Sequence, residues 1–159
     1  MDAGHLWYFA YGSNMSRATF HGRRGMLPLE VHVASLDGHR LCFDIPVGPG
    51  ERGVANLVTD AAATTHGVAY LLTLDDAERL DRTEGVPQIY VRHPVSVRLA
   101  DARTVPAFTY RGAISAPTRK PSARYIGLLL DGARTHGLPD EYVRALEAFE
   151  LAVDERLDP

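Results

Sequence analysis

Hydrophobic and polar residues alternate with a period of two over much of the first two-thirds of the chain, the pattern of strands buried on one face. Leu6 to Ala10 is a short apolar run that stops at a turn signal, Tyr11-Gly12-Ser13-Asn14. Leu27, Leu29, Val31 and Val33 alternate with Pro28, Glu30, His32 and Ala34, and this predicts a half-buried strand. Leu41, Phe43 and Ile45 repeat the pattern, and Asp37-Gly38 ahead of them suits a hairpin turn. Val54 to Val58 and Gly67 to Leu72 are more uniformly apolar, as central strands tend to be. Ile89, Val91, His93, Val95 and Val97 alternate again, and Val105 to Tyr110 is a candidate partner.

The period lengthens to that of a helix in three places. Thr73 and Asp76 resemble a capping box, and the segment Asp75 to Thr83 then carries Ala77 and Leu80 on one face. Ser122, after Pro121, can cap a helix whose apolar residues include Tyr125, Ile126, Leu129 and Ala133, with Gly137 ending it. Pro139 suits the first turn of a last helix, with Tyr142, Leu146, Phe149 and Val153 spaced by four, three and four. Loops are expected from Pro46 to Gly53 and from Gly112 through Pro117 to Pro121. The fold class expected is α+β: a strand-rich domain with its helices gathered late.

Composition narrows the picture. A chain of 159 residues, 45% hydrophobic and 23% charged, reads as a single globular domain spanning 1–159. Its formal charge is −3 with both signs scattered, so neither nucleic acid nor an anionic membrane is an expected partner. Cys42 is the one cysteine and cannot form an intrachain disulfide. The N-terminus lacks a basic region and a long apolar stretch, so no signal peptide or membrane span is expected and the cytoplasm is the expected compartment.

The common signatures for phosphate binding, zinc hydrolysis and acyl-enzyme chemistry (GxxxxGK[ST], GxGxxG, HExxH, GxSxG, CxxC) do not occur. None of the seven histidines is paired at HxH or HxxxH spacing, so no metal site is expected, and no organic cofactor is implied. Three features remain. Tyr11-Gly12-Ser13-Asn14 directly follows a buried strand, and successive N–H groups in such a turn can converge on an anion or a developing oxyanion; it serves equally as a plain strand-ending turn. Glu84 follows the helix Asp75 to Thr83 and precedes Gly85, a placement that the helix dipole disfavours by roughly 0.3–1 kcal/mol. Breaches of a local rule are where functional residues are sought, although a solvated glutamate fits the same position. Tyr90, Tyr110 and Tyr125 fall near element ends, where a hydroxyl can orient a polar ligand or simply cap a packed ring.

Taken together these segments resemble a known family. Tyr8-Phe9-Ala10-Tyr11-Gly12-Ser13-Asn14-Met15 is similar to the opening motif of the γ-glutamyl cyclotransferase-like (AIG2-like) enzymes. Leu80-Asp81-Arg82-Thr83-Glu84-Gly85-Val86 resembles the segment that carries their catalytic glutamate. The stretch from Pro121-Ser122-Ala123-Arg124-Tyr125 to Glu141-Tyr142 resembles their C-terminal helical part, and Tyr110 matches a tyrosine of their late strand. The anchors occur in the family's order and span residues 8 to about 149.

The resemblance implies a small strand-rich barrel with helices packed around it and a pocket at one mouth. It implies a small-molecule γ-glutamyl substrate held by backbone groups of Gly12, Ser13 and Asn14, with Tyr11, Tyr90, Tyr110 and Tyr125 lining the pocket. Glu84 is then the general acid/base of a cyclisation that releases 5-oxoproline and an amine or amino acid from a monomer or homodimer. The substrate's own α-amine attacks its γ-carbonyl, so no enzyme nucleophile is needed. Reference values of ~4.3 for Glu and ~7.7–8.0 for an α-amine leave a proton-transfer gap of roughly 5 kcal/mol, which requires a desolvated Glu84. Two alternatives stay open: a γ-glutamylamine cyclotransferase that trims a biosynthetic intermediate, and a non-catalytic small-ligand-binding domain on the same scaffold.

Overall fold

The computed structural model describes residues 4–153. The apolar run after Gly4 forms β1 (His5–Ala10), in which Trp7 to Ala10 are all buried. Burial on both faces follows from its position. β1 pairs antiparallel with β3 (Gly53–Thr73) on one side and parallel with β5 (Thr104–Gly112) on the other, where Tyr8 faces Phe108. β2 (Glu30–Pro46) and β4 (Tyr90–Leu99) complete a closed barrel in the order β1–β3–β2–β4–β5. Closure gives each of these strands two neighbours, although β2 meets β4 only at Ala34 and Ser35.

β2 and β3 form one long hairpin, paired from Glu30 opposite Leu71 to Pro46 opposite Gly53. Several expectations change as a result. Asp37-Gly38 is not a hairpin turn: β2 runs through it, and Gly38, with φ of +78°, sits at a register shift that bends the strand. The reversal falls instead in the loop after Pro46. Val54–Val58 and Gly67–Leu72 lie toward the two ends of β3, joined by a stretch in which Thr59, Thr64, Thr65 and His66 pair with β2 while residues 60–63 fall at the register shift. β2 begins only at Glu30, and Leu27 and Leu29 ahead of it are 79% and 55% exposed, so the first alternating segment turns its apolar phase outward. β4 buries Tyr90 at its start and Val97 and Leu99 at its end, on opposite phases, while Ile89 and Val91 are exposed. The strand is covered on a different face at each end.

Three helices pack on the barrel. α1 (Leu74–Thr83) is capped by Thr73 Oγ1, which accepts from the Asp76 N–H at 3.1 Å, and buries Ala77 and Leu80. α2 (Ala123–His136) is capped by Ser122 Oγ, which accepts from the Tyr125 N–H at 3.1 Å. α3 (Asp140–Glu147) is shorter than its spacing predicts: the chain leaves the helix at Ala148, Phe149 packs edge-on against Phe43 at 4.8 Å, and Val153 is exposed. Pro139 is its cap rather than part of its first turn. A π-helical turn at Ala18–Arg23, without a sequence signal, buries Phe20 flat on Tyr70 with ring centroids 4.0 Å apart.

At one mouth of the barrel the end of β1, the C-terminus of α1, the start of β4, the end of β5 and the first turn of α2 converge. No helix among the described residues is long and apolar enough to cross a membrane.

Candidate active site

The turn after β1 closes into a single 3₁₀ turn, Ser13–Met15, in which the Met15 N–H donates to the Gly12 carbonyl at 3.1 Å. A helical turn leaves its first N–H groups without intrahelical acceptors, and Gly12 and Ser13 lie at the mouth beside Tyr125. α2 crosses the turn closely. A Cβ added at Gly132 would lie 2.5 Å from the Met15 carbonyl carbon, so only glycine lets the two elements meet.

Asn14, buried beneath the turn, ties it to the rest of the site. Its Nδ2 donates to Glu84 Oε1 at 2.6 Å and to Tyr8 Oη at 2.9 Å, and its Oδ1 accepts from Arg24 Nε at 2.7 Å. These partners fix which amide atom is nitrogen, since only N–H can face the carboxylate and only oxygen the guanidinium. Both N–H donors of the side chain are thus committed, which leaves backbone N–H groups of the turn to donate to a ligand.

Glu84 is the C-cap of α1, and Gly85 after it takes φ of +68°, the left-handed conformation expected at that position. Its side chain is 12% exposed. Burial holds its carboxyl above the usual range, while Arg24, with Nε 3.8 Å away, and the Asn14 hydrogen bond pull the other way. A carboxylate with one side-chain hydrogen bond and one flanking cation, otherwise dry, is suited to accept a proton.

The tyrosines complete the wall. Tyr8, Tyr11, Tyr90, Tyr110 and Tyr125 surround a recess of about 30 Å³, with Gly12, Asn14, Ala55 and Glu84. A neighbouring cleft of about 450 Å³ shares Glu84, Tyr90 and Tyr125 with the recess and adds Ser13, Arg24 and Arg82. Tyr90 Oη donates to the Ala55 carbonyl at 2.6 Å and Tyr11 Oη to the Tyr110 carbonyl. Tyr125 Oη accepts from the Ala55 N–H at 3.1 Å. Burial is the main cause that raises every one of these phenols, Tyr125 to about 12, so all stay protonated at neutral pH.

Every residue singled out by sequence (Tyr11, Gly12, Ser13, Asn14, Glu84, Tyr90, Tyr110, Tyr125) therefore lies at the recess or its cleft. Arg24 and Ala55 were missed: an arginine in a polar loop and an alanine in an apolar strand carry no local signal. Tyr8 and Asp81 stood only as letters within the quoted motifs. Among the described residues no group of three or more His, Cys, Asp or Glu side chains could hold a metal ion.

The profile of the AIG2-like family matches residues 64–146. The chain is similar to the γ-glutamyl cyclotransferase gliK of Claviceps purpurea, with 39% identity over 143 residues that cover 83% of this chain and 64% of that protein. It is 30% identical to the human γ-glutamylcyclotransferase over 156 residues, 94% of this chain and 81% of that one. The chain thus spans about two-thirds of the length of the fungal relative. Among solved structures, a γ-glutamyl cyclotransferase superposes with a TM-score of 0.86 at 25% identity, covering 96% of this chain and 92% of that chain. YkqA of Bacillus subtilis shares the fold, with a TM-score of 0.79 at 24% identity over 92% of this chain and 56% of its own. With matches of this extent to the family's profile, sequences and fold, the chain belongs to the γ-glutamyl cyclotransferase-like, AIG2-like family.

Proposed function

We propose that this protein is a γ-glutamyl cyclotransferase in which Glu84 is the catalytic acid/base. The observation that carries the reading is the buried Glu84 carboxylate at the wall shared by recess and cleft, held by Asn14 beneath the Gly12–Met15 turn. The γ-glutamyl end of the substrate lies against that wall and its amine half extends into the cleft. Glu84 takes a proton from the substrate's α-ammonium. The freed amine nitrogen attacks the γ-carbonyl carbon, forming the ring C–N bond. The tetrahedral oxyanion meets N–H donors of the turn, each worth about 3 kcal/mol in a preorganised site. As the original amide C–N bond breaks, Glu84 returns its proton to the departing nitrogen and takes up the second proton that the ring nitrogen sheds, which then passes to the released amine. Atoms balance with no water consumed: one γ-glutamyl amide gives one 5-oxoproline and one amine.

The curved geometry needed for ring closure suits a narrow recess, which holds amine and carbonyl in near-attack contact. The names of the relatives support the same reaction class. The direct test is product analysis. The protein is incubated with γ-glutamyl amino acids, γ-glutamylamines and glutathione, and 5-oxoproline, glutamate and free amine are quantified. Equimolar 5-oxoproline and amine is the expected result. Release of glutamate would mean hydrolysis rather than cyclisation, and binding without any product would mean a ligand-binding domain. The preferred amine half sets the substrate subclass.

A further inference from the structure

We infer that Asp81, which lines neither the recess nor the cleft, is a positioning residue that fixes the hydroxyl polarity of Tyr110 and so makes one wall of the recess a set of acceptors for the substrate's α-ammonium. This rests on the cyclotransferase reading above. A buried phenol has one proton to give, and whatever takes it decides what the oxygen can offer a ligand. Tyr110 Oη donates to Asp81 Oδ1 at 2.6 Å, and because a carboxylate can only accept, the direction of that bond is fixed. Tyr11 and Tyr90 likewise give their protons to the carbonyl oxygens of Tyr110 and Ala55. These three hydroxyls present only lone pairs to the recess.

Tyr8 and Tyr125 are the reverse. Each accepts, from Asn14 Nδ2 and the Ala55 N–H respectively, and keeps its proton for the cavity. The recess thus divides into acceptors (Tyr11, Tyr90, Tyr110 and the Glu84 carboxylate) and donors (Tyr8, Tyr125 and the turn N–H groups). That division matches an α-amino acid head group: ammonium on one side, carboxylate or developing oxyanion on the other.

Asp81 is itself held in place. Arg92 Nε donates to both of its oxygens, at 2.8 and 3.0 Å, and the Arg92 guanidinium lies over the Phe108 ring at 4.4 Å. The carboxylate sits one helical turn before Glu84 on α1. Asp81 Oδ1 accepts from Arg92 as well as from Tyr110, so an asparagine oxygen in its place would keep both bonds, and alanine is the substitution that removes the acceptor. In D81A the Tyr110 hydroxyl turns its own proton toward the ammonium.

The test is a double-mutant cycle of wild type, D81A, Y110F and the D81A/Y110F pair, with the best γ-glutamyl substrate, reading kcat and KM separately. D81A and Y110F should each raise KM roughly tenfold or more, the size of a lost hydrogen bond to a charged group, with kcat within a few-fold. The pair should be no worse than either single variant, because Asp81 acts through the hydroxyl that Y110F removes. A structural role, in which Asp81 only clamps α1 to β4 through Arg92, would give losses that multiply in the pair. That result, or a D81A enzyme with unchanged KM, overturns the assignment while leaving the reaction in place. If wild type forms no 5-oxoproline, the reaction itself is wrong and the assignment falls with it. Should D81A not fold, D81L, which fills the same space and offers no acceptor, takes its place in the same cycle.

Discussion

Glu84 works against two opposed influences, and their balance can be read out. Burial favours its neutral form, whereas Arg24 and Asn14 favour the carboxylate. Replacing Arg24 by methionine removes a stabiliser of the charged form and must raise the carboxyl further. The acidic limb of kcat/KM, which reports loss of the base by protonation in the free enzyme, should therefore move to higher pH in R24M. A limb that stays put or moves down would show that Arg24 does not act on the titrating group. Glu84, an acid at a helix end ahead of glycine, breaks a local electrostatic rule, yet a solvated glutamate fits the same place, and only the family resemblance gave it a role. Arg24 was not legible in the sequence, because its bearing on Glu84 exists only after chain segments 60 residues apart have met, and nothing in the neighbours of an arginine announces that.

The elements that aim these residues follow from caps and close contacts. α1 delivers Glu84 because Thr73 starts the helix and Gly85 ends it; α2 delivers Tyr125 because Ser122 starts it and Gly132 lets it lie on the 3₁₀ turn. A Gly132→Val substitution places new carbons inside the Met15 backbone. It is expected to destabilise the fold by about 1–3 kcal/mol and to lower turnover as the Gly12–Met15 turn shifts, measured by denaturant melts and 5-oxoproline release. Unaltered stability and activity would mean that α2 does not seat the turn. The capped helices were readable because a cap is a local signal at fixed spacing. The long β2–β3 hairpin was not: a bulge at Gly38 and a turn at Asp37-Gly38 use the same residues, and only pairing with β3 chooses between them. The opposite phases at the two ends of β4 were likewise settled by what packs on each end.

For the molecule as a whole, a site that holds a carboxylate dry works against stability. The carboxyl of Glu84 is raised in the folded state, so its favourable contribution is complete below the unfolded value and is lost as pH rises through the folded one. Wild type should therefore melt below E84Q at neutral pH, and the gap should shrink as pH falls into the ordinary carboxylate range. A gap independent of pH would remove ionisation as its cause. Barrel closure, seen in the pairing of Tyr8 with Phe108, was expected only from the family resemblance, since no local pattern states that first and last strands meet.

Turnover by E84Q is the sharpest arbiter. Glutamine keeps an oxygen to accept from Asn14 and the same shape, but it cannot take a proton from the α-ammonium. With the melting temperature at or above that of wild type, E84Q should lose about 10²–10⁴-fold in 5-oxoproline production, the range of a missing general acid/base. A folded E84Q enzyme that still cyclises γ-glutamyl substrate at near wild-type rate would contradict the role given to Glu84.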